Sequence, residues 1–245
     1  MSRWRSLEAE MGGKGTAALY VLHRLLQRLS GGRMRIIQYR IVAQPVGNPA
    51  LRSIRPAPDT VVRLVDPADP VTAQFPRPAA VVRGRFANGD QCYVMWVKGA
   101  FAGHIWVARS RYTEDEVRGV YVLARPAETV WDYDVYVAPA HRGTRTLARM
   151  WKYVDESLAS LNVHWTLSRI SRFNSESLRS HARLGAVALG WITVLRLGGI
   201  QLHMSGGTGL ARCPKANSWH SFSVELAPPL SHARALPLTA SSSPP

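Results

Sequence analysis

The feature that most constrains this chain is a change of period near its middle. Residues Thr129–Val137 read as a strand, and a loop over Pro139–Thr146 follows. Apolar residues then recur at three- and four-residue steps at Leu147, Met150, Trp151, Val154, Leu158 and Leu161, which is one face of a helix. A strand pattern returns over Val163–Ile170. A short helix is expected over Ser175–Leu184, and a last apolar stretch, Val187–Met204, is broken by Gly198-Gly199. A chain that switches period in this order must pack helices on strands.

The segments before it supply most of the strands. Met34–Val46, Ala80–Phe86, Gln91–Val97, Gly103–Ala108 and Gly119–Leu123 read as extended, with Asn88-Gly89 and Lys98-Gly99 as hairpin turns. Residues 47–78 hold seven prolines and read as an irregular connection containing a short strand over Thr60–Val65. Residues 1–15 read as loose. Leu19, Leu22, Leu25, Leu26 and Leu29 then mark an amphipathic helix over Thr16–Ser30, ended by Gly31-Gly32. The expected fold class is α+β: a single domain with a mixed, mostly antiparallel sheet flanked by helices. The expected divisions are 1–32 for an N-terminal extension carrying the helix, 33–204 for the domain, and 205–245 for a disordered low-complexity tail with one short strand at 219–226. The run Gly206-Gly207-Thr208-Gly209 reads as a linker.

Composition narrows the classes of function. Of 245 residues 46% are hydrophobic, too many for a disordered chain, and no apolar run is long enough to cross a bilayer. Acidic Glu8 and Glu10 stand where a secretory signal would turn apolar. Cys92 and Cys213 lack metal or disulfide spacing, so no metal is expected and the reading is cytoplasmic. The net charge of +15 invites a nucleic-acid partner, but the arginines are scattered rather than clustered, which argues against one.

The chemistry lies in Trp131–Ala186. A strand ending in Val137-Ala138-Pro139-Ala140-His141-Arg142-Gly143 and opening a helix offers unpaired N–H groups and a positive dipole end, suited to a pyrophosphate. Arg142 and Arg145 would add charge-assisted contacts. One strand later stands Asn174-Ser175-Glu176-Ser177, with His181 and Gly185 beyond. This pair of segments resembles the GNAT superfamily of acyl-CoA-dependent N-acyltransferases. Val137, Pro139, Arg142 and Gly143 match its coenzyme A loop; Asn174, Ser177 and Gly185 match its second motif. The chain departs from the family at Arg145 and Leu147, where small residues are usual, and at His181, where a Tyr is usual.

The resemblance implies transfer of an acetyl or other acyl group from acetyl-CoA to an amine by direct attack. Val135, Val137, Arg142, Gly143, Thr144, Arg145, Asn174 and Ser177 would hold the coenzyme. His181 would protonate the leaving thiolate near neutral pH, and Asp134 or Asp132, side by side on one strand face, would serve as base. The alternatives are a non-catalytic acyl-CoA-sensing or partner-binding module, and a basic nucleic-acid binder. Peripheral membrane contact is expected of the N-terminal helix if it is not packed away.

Overall fold

In the computed structural model, residues 3–212 and 221–229 are described. In chain order the elements are α1 (Arg3–Met11), α2 (Lys14–Leu29), β1 (Met34–Pro45), α3 (Pro49–Arg52), β2 (Thr60–Val65), α4 (Ala79–Ala87), β3 (Gln91–Val97), β4 (Ala100–Ala108), β5 (Arg111–Thr113), β6 (Gly119–Leu123), β7 (Thr129–Val137), α5 (Thr146–Ser160), β8 (Trp165–Ser171), α6 (Ser175–Arg183), β9 (Val187–Leu197), β10 (Ile200–Gly206), β11 (Leu210–Arg212) and β12 (Phe222–Leu226). The expected α+β class and mixed sheet are present. The chain divides into two compact units. The first comprises Met1–Gln44, Arg111–Ala124 and Leu167–Pro245; the second comprises Pro45–Ser110 and Arg125–Thr166.

In the first unit β1 pairs antiparallel with β9, Met34 facing Leu197, and β9 continues into β10 through Gly198-Gly199. A second, four-stranded sheet runs β11-β12-β6-β5. It is mixed, because β12 lies parallel to β6 while its other pairs are antiparallel. Tyr39, Ile41, Tyr121, Leu167, Ile192 and Phe222 fill the interior. A buried ion pair joins Arg169 to Glu114, and the Arg169 guanidinium lies 4.3 Å from the centre of the Tyr39 ring. Helix α2 is held by buried Thr16 and Ala17, and by Tyr20 and His23 against Phe173 at 5.4 and 5.7 Å.

In the second unit β2, β3, β4 and β7 pair antiparallel in that order, with register shifts in the β3–β4 and β4–β7 pairings. Helix α5 packs on β3 and β4 through Met150, Val154 and Leu158, the stripe read from the sequence. Its Asp155 accepts backbone hydrogen bonds from Gly47 (2.9 Å) and Asn48 (3.2 Å), tying the helix to the loop that opens α3. Trp106 and Trp131 are fully buried; burying a large apolar side chain contributes about 1.5–3 kcal/mol.

Four expectations are corrected. Ala80–Phe86 is not a strand but lies inside α4. The helix follows Pro78 and turns Val82 and Arg85, three residues apart, to the interior. Asn88-Gly89 is therefore a helix end and not a hairpin. The N–H groups of Gly89 and Asp90 return to the carbonyls of Phe86 (2.9 Å) and Arg85 (3.0 Å), and Gly89 takes the left-handed φ of 82° which that closure needs. Within the segment expected to be loose, Arg3–Met11 is helical, because Trp4, Leu7 and Met11 space a stripe whose last member is buried. Gly206–Gly209 is not a free linker: the Gly209 N–H donates to the Leu189 carbonyl at 3.0 Å, and β11 follows it, while β12 falls within the strand expected at 219–226. The Trp219–His220 part of the expected last strand lies outside the described residues.

Candidate functional site

In the second unit, β7 carries an irregularity at the expected acidic pair. Trp106 of β4 faces Tyr133 and His104 faces Tyr136, so two steps on β4 match three on β7. The extra residue makes a β-bulge, and within it Asp134 adopts φ 46°. Asp tolerates this left-handed backbone better than most residues, but it still needs support. That support is electrostatic. Arg77 grips the carboxylate with both arms, Nη2 to Oδ1 at 2.5 Å and Nε to Oδ2 at 2.9 Å. Arg85 donates Nη1 to Oδ2, and His104 Nε2 stands 3.7 Å from the same oxygen. Arg85 is itself stacked over the rings of Tyr133 (4.9 Å) and Trp106 (5.2 Å).

This arrangement changes the expected role of Asp134. Burial alone would raise its pKa, but the contacts from His104, Arg77 and Arg85 outweigh burial and hold the carboxyl far below the usual carboxylate range. A carboxylate held so firmly ionised is a poor proton acceptor and a good anchor. The bulge also breaks the alternation that would set Asp132 and Asp134 on one face, and Asp132 is buried. The sequence did not reveal Arg77, Arg85 or His104 as partners. The readable signal was the helical spacing of Val82 and Arg85 after Pro78, which brings the guanidinium inward.

Past the bulge, Val135 is exposed and Val137 faces Gly103 at the end of the ladder. The chain leaves through a short 3-10 turn over Pro139–His141 and reaches Gly143, whose φ of 73° suits glycine. Arg142 folds back, its Nε donating to the Val137 carbonyl at 3.1 Å. Thr144 Oγ1 donates to the His141 carbonyl (2.7 Å) and accepts the Thr146 N–H (3.2 Å). The N–H groups of Gly143, Thr144 and Arg145, all exposed residues, find no acceptor among the described residues. Arg145 occupies the N-cap of α5 without a side-chain cap, and no acidic residue stands in the first turn. The positive end of a 15-residue helix is thus left uncompensated beside a row of N–H donors and two arginines.

The remaining predicted residues belong to the first unit, on α6. Asn174 is its N-cap, with Oδ1 accepting the Ser177 N–H at 3.0 Å. At the other end the N–H groups of Gly185 and Ala186 return to the Ala182 and His181 carbonyls, both at 3.0 Å. Asn174, Ser177 and Gly185 therefore delimit a nine-residue helix. His181 lies in its last turn, half-buried, with Nδ1 3.0 Å from Gln44 Oε1. An amide oxygen only accepts, so Nδ1 carries the proton and Nε2 holds the lone pair. Burial lowers the His181 pKa to about 4, so the imidazole is neutral at pH 7 and is not the imidazolium acid expected near neutrality.

An open groove of about 900 Å³ in the first unit, bordered by Arg118, Arg196, Gln201 and Phe222, contains none of the predicted residues. Among the described residues no group of three or more metal-ligating side chains is assembled.

No protein family matches the chain, and no curated protein matches it. Solved structures do align with it. A conserved protein of unknown function from Staphylococcus epidermidis is 14% identical, with a TM-score of 0.46, over 71% of this chain and 67% of that one. A candidate acetyltransferase of the GNAT family from Novosphingobium aromaticivorans is 17% identical, with a TM-score of 0.43, over 66% and 65%. A tandem GNAT protein from the clavulanic acid biosynthesis pathway is 14% identical, with a TM-score of 0.42, over 72% and 55%. The chain thus spans about two thirds or less of the length of these proteins.

Proposed function

We propose that the chain transfers an acyl group, acetyl in the simplest case, from acyl-CoA to an amine. The observation that carries this reading is the uncapped N-terminus of α5, where exposed N–H donors follow the Arg142-Gly143 turn. Such an end binds a pyrophosphate through backbone donors and the helix dipole, and Arg142 and Arg145 add charge. The backbone of Val135–Val137 would hold the thioester arm beside the bulge that Asp134 anchors. Asn174 and Ser177 would act by fixing the start of α6, from which His181 projects.

In the reaction the uncharged amine attacks the thioester carbonyl carbon, the C–N bond forms, and the C–S bond breaks to release a thiolate. One proton must pass from nitrogen to sulfur. The family resemblance assigns this transfer to His181, which would enter neutral, take the proton at Nε2 and give it to the thiolate. This account needs neither Asp132 nor Asp134 as base. A non-catalytic acyl-CoA sensor is the second reading, favoured by Leu147, which is 40% exposed in the first turn of α5 where the family resemblance expects a small residue.

Coenzyme A release, measured with a thiol reagent over a panel of small amines, amino acids and peptides, separates the two. Acceptor-dependent release is expected, and binding of acetyl-CoA without release for any acceptor would favour the sensor. Arg142→Ala should weaken acetyl-CoA binding about tenfold while shifting the melting temperature little, since the side chain is exposed and makes one hydrogen bond. Calorimetric titration of both proteins reads this directly.

A further inference from the structure

We propose that the outward face of α2 docks on an anionic lipid surface. The helix has two apolar faces, and the fold uses only one. Thr16 and Ala17 are buried, and Tyr20 and His23 pack on Phe173. The other face leaves Val21 (44% exposed), Leu22 (44%), Leu25 (50%) and Leu29 (76%) uncovered. Leu22, Leu25 and Leu29 follow one another at three- and four-residue steps, so they form a single stripe down the helix.

Charge identifies the occupant. Lys14, Arg24, Arg28, Arg33 and Arg35 lie on the helix or just beyond it, and no Asp or Glu occurs between Glu10 and Asp59. A second copy docked on the stripe would set Arg24 and Arg28 against their own kind, and α2 itself carries no carboxylate to offset them. The last sixteen residues also lack Asp and Glu and cannot supply the complement. Lipid phosphates can, while the leucines enter the boundary between headgroups and acyl chains. The helix has 16 residues, and no described helix is long and apolar enough to cross a membrane, so α2 would lie in the interface plane.

The test is co-sedimentation of the full chain with vesicles. Vesicles of phosphatidylcholine and phosphatidylglycerol in equal amounts should bind it, phosphatidylcholine alone should bind it poorly, and added salt should weaken binding. Replacing Leu22, Leu25 and Leu29 together by Gln should cut partitioning about tenfold or more with an unchanged melting curve, because the three are exposed. Arg24→Gln with Arg28→Gln should act on the anionic vesicles alone. Equal binding to both vesicle types, or undiminished binding by the leucine variant, would overturn the proposal. So would a dimer in sedimentation velocity that the leucine variant abolishes, which would assign the stripe to self-association.

Discussion

Asp134→Ala should destabilise the protein by about 3–5 kcal/mol, the cost typical of removing one partner from a buried ion pair. The weight falls on Arg85, whose side chain is only 8% exposed and whose desolvation the carboxylate offsets; Arg77 is 44% exposed and contributes less. The loss should also relax the left-handed backbone at residue 134 and with it the bulge before the coenzyme loop. Chemical denaturation of the variant checks the magnitude. Replacing Arg85 by Met as well should recover part of the loss, since a packed apolar residue needs no counter-charge. The sign with pH follows from the depressed pKa of Asp134. Its contribution is fully present above the ordinary carboxylate pKa of about 4, and is lost only as pH falls below that value. The difference between wild type and Asp134→Ala should therefore be constant from neutral pH to about 5 and shrink in stronger acid. A difference that grows on acidification would contradict the ion-pair account.

His181→Phe should lower kcat by about 10²–10⁴-fold, the usual range for a positioned proton carrier, and leave acetyl-CoA affinity nearly unchanged. A variant that lost affinity and rate together would place His181 in binding instead. Stability offers a second readout that does not need the acceptor. The folded pKa of about 4 lies below the unfolded value of about 6.5, so the unfolded chain binds the extra proton between these values. Stability from this residue is complete above about pH 6.5 and falls as pH drops toward 4. Melting temperatures of wild type and His181→Phe across that window should differ in slope, the variant being flatter.

Much of this was legible in the sequence, and the reasons differ by element. The stripe on α5 was readable because one face of the helix is buried against its own unit, and the break between β9 and β10 because a glycine pair interrupts one apolar stretch. Helix α4 was not, since Ala80–Phe86 alternates well enough to pass as a strand; Pro78 and the inward Arg85 outweigh that alternation. The acidic pair on β7 was visible, but its roles were not. Period-two reasoning assumes an unbroken ladder, whereas the bulge at Asp134 and three partners from other parts of the chain decide what that carboxylate does. His181 shows the same limit. Its position in the motif was plain, but its charge state depends on burial and its tautomer on Gln44, 137 residues earlier in the chain.

The most direct test of the coenzyme reading is a calorimetric titration of the purified full chain with acetyl-CoA at neutral pH. The account predicts saturable one-to-one binding, weakened about tenfold by Arg142→Ala and unaffected by His181→Phe. Ligand at 100 times its dissociation constant should also raise stability by about 2.7 kcal/mol. Absence of saturable heat and of any thermal shift at millimolar acetyl-CoA would contradict it.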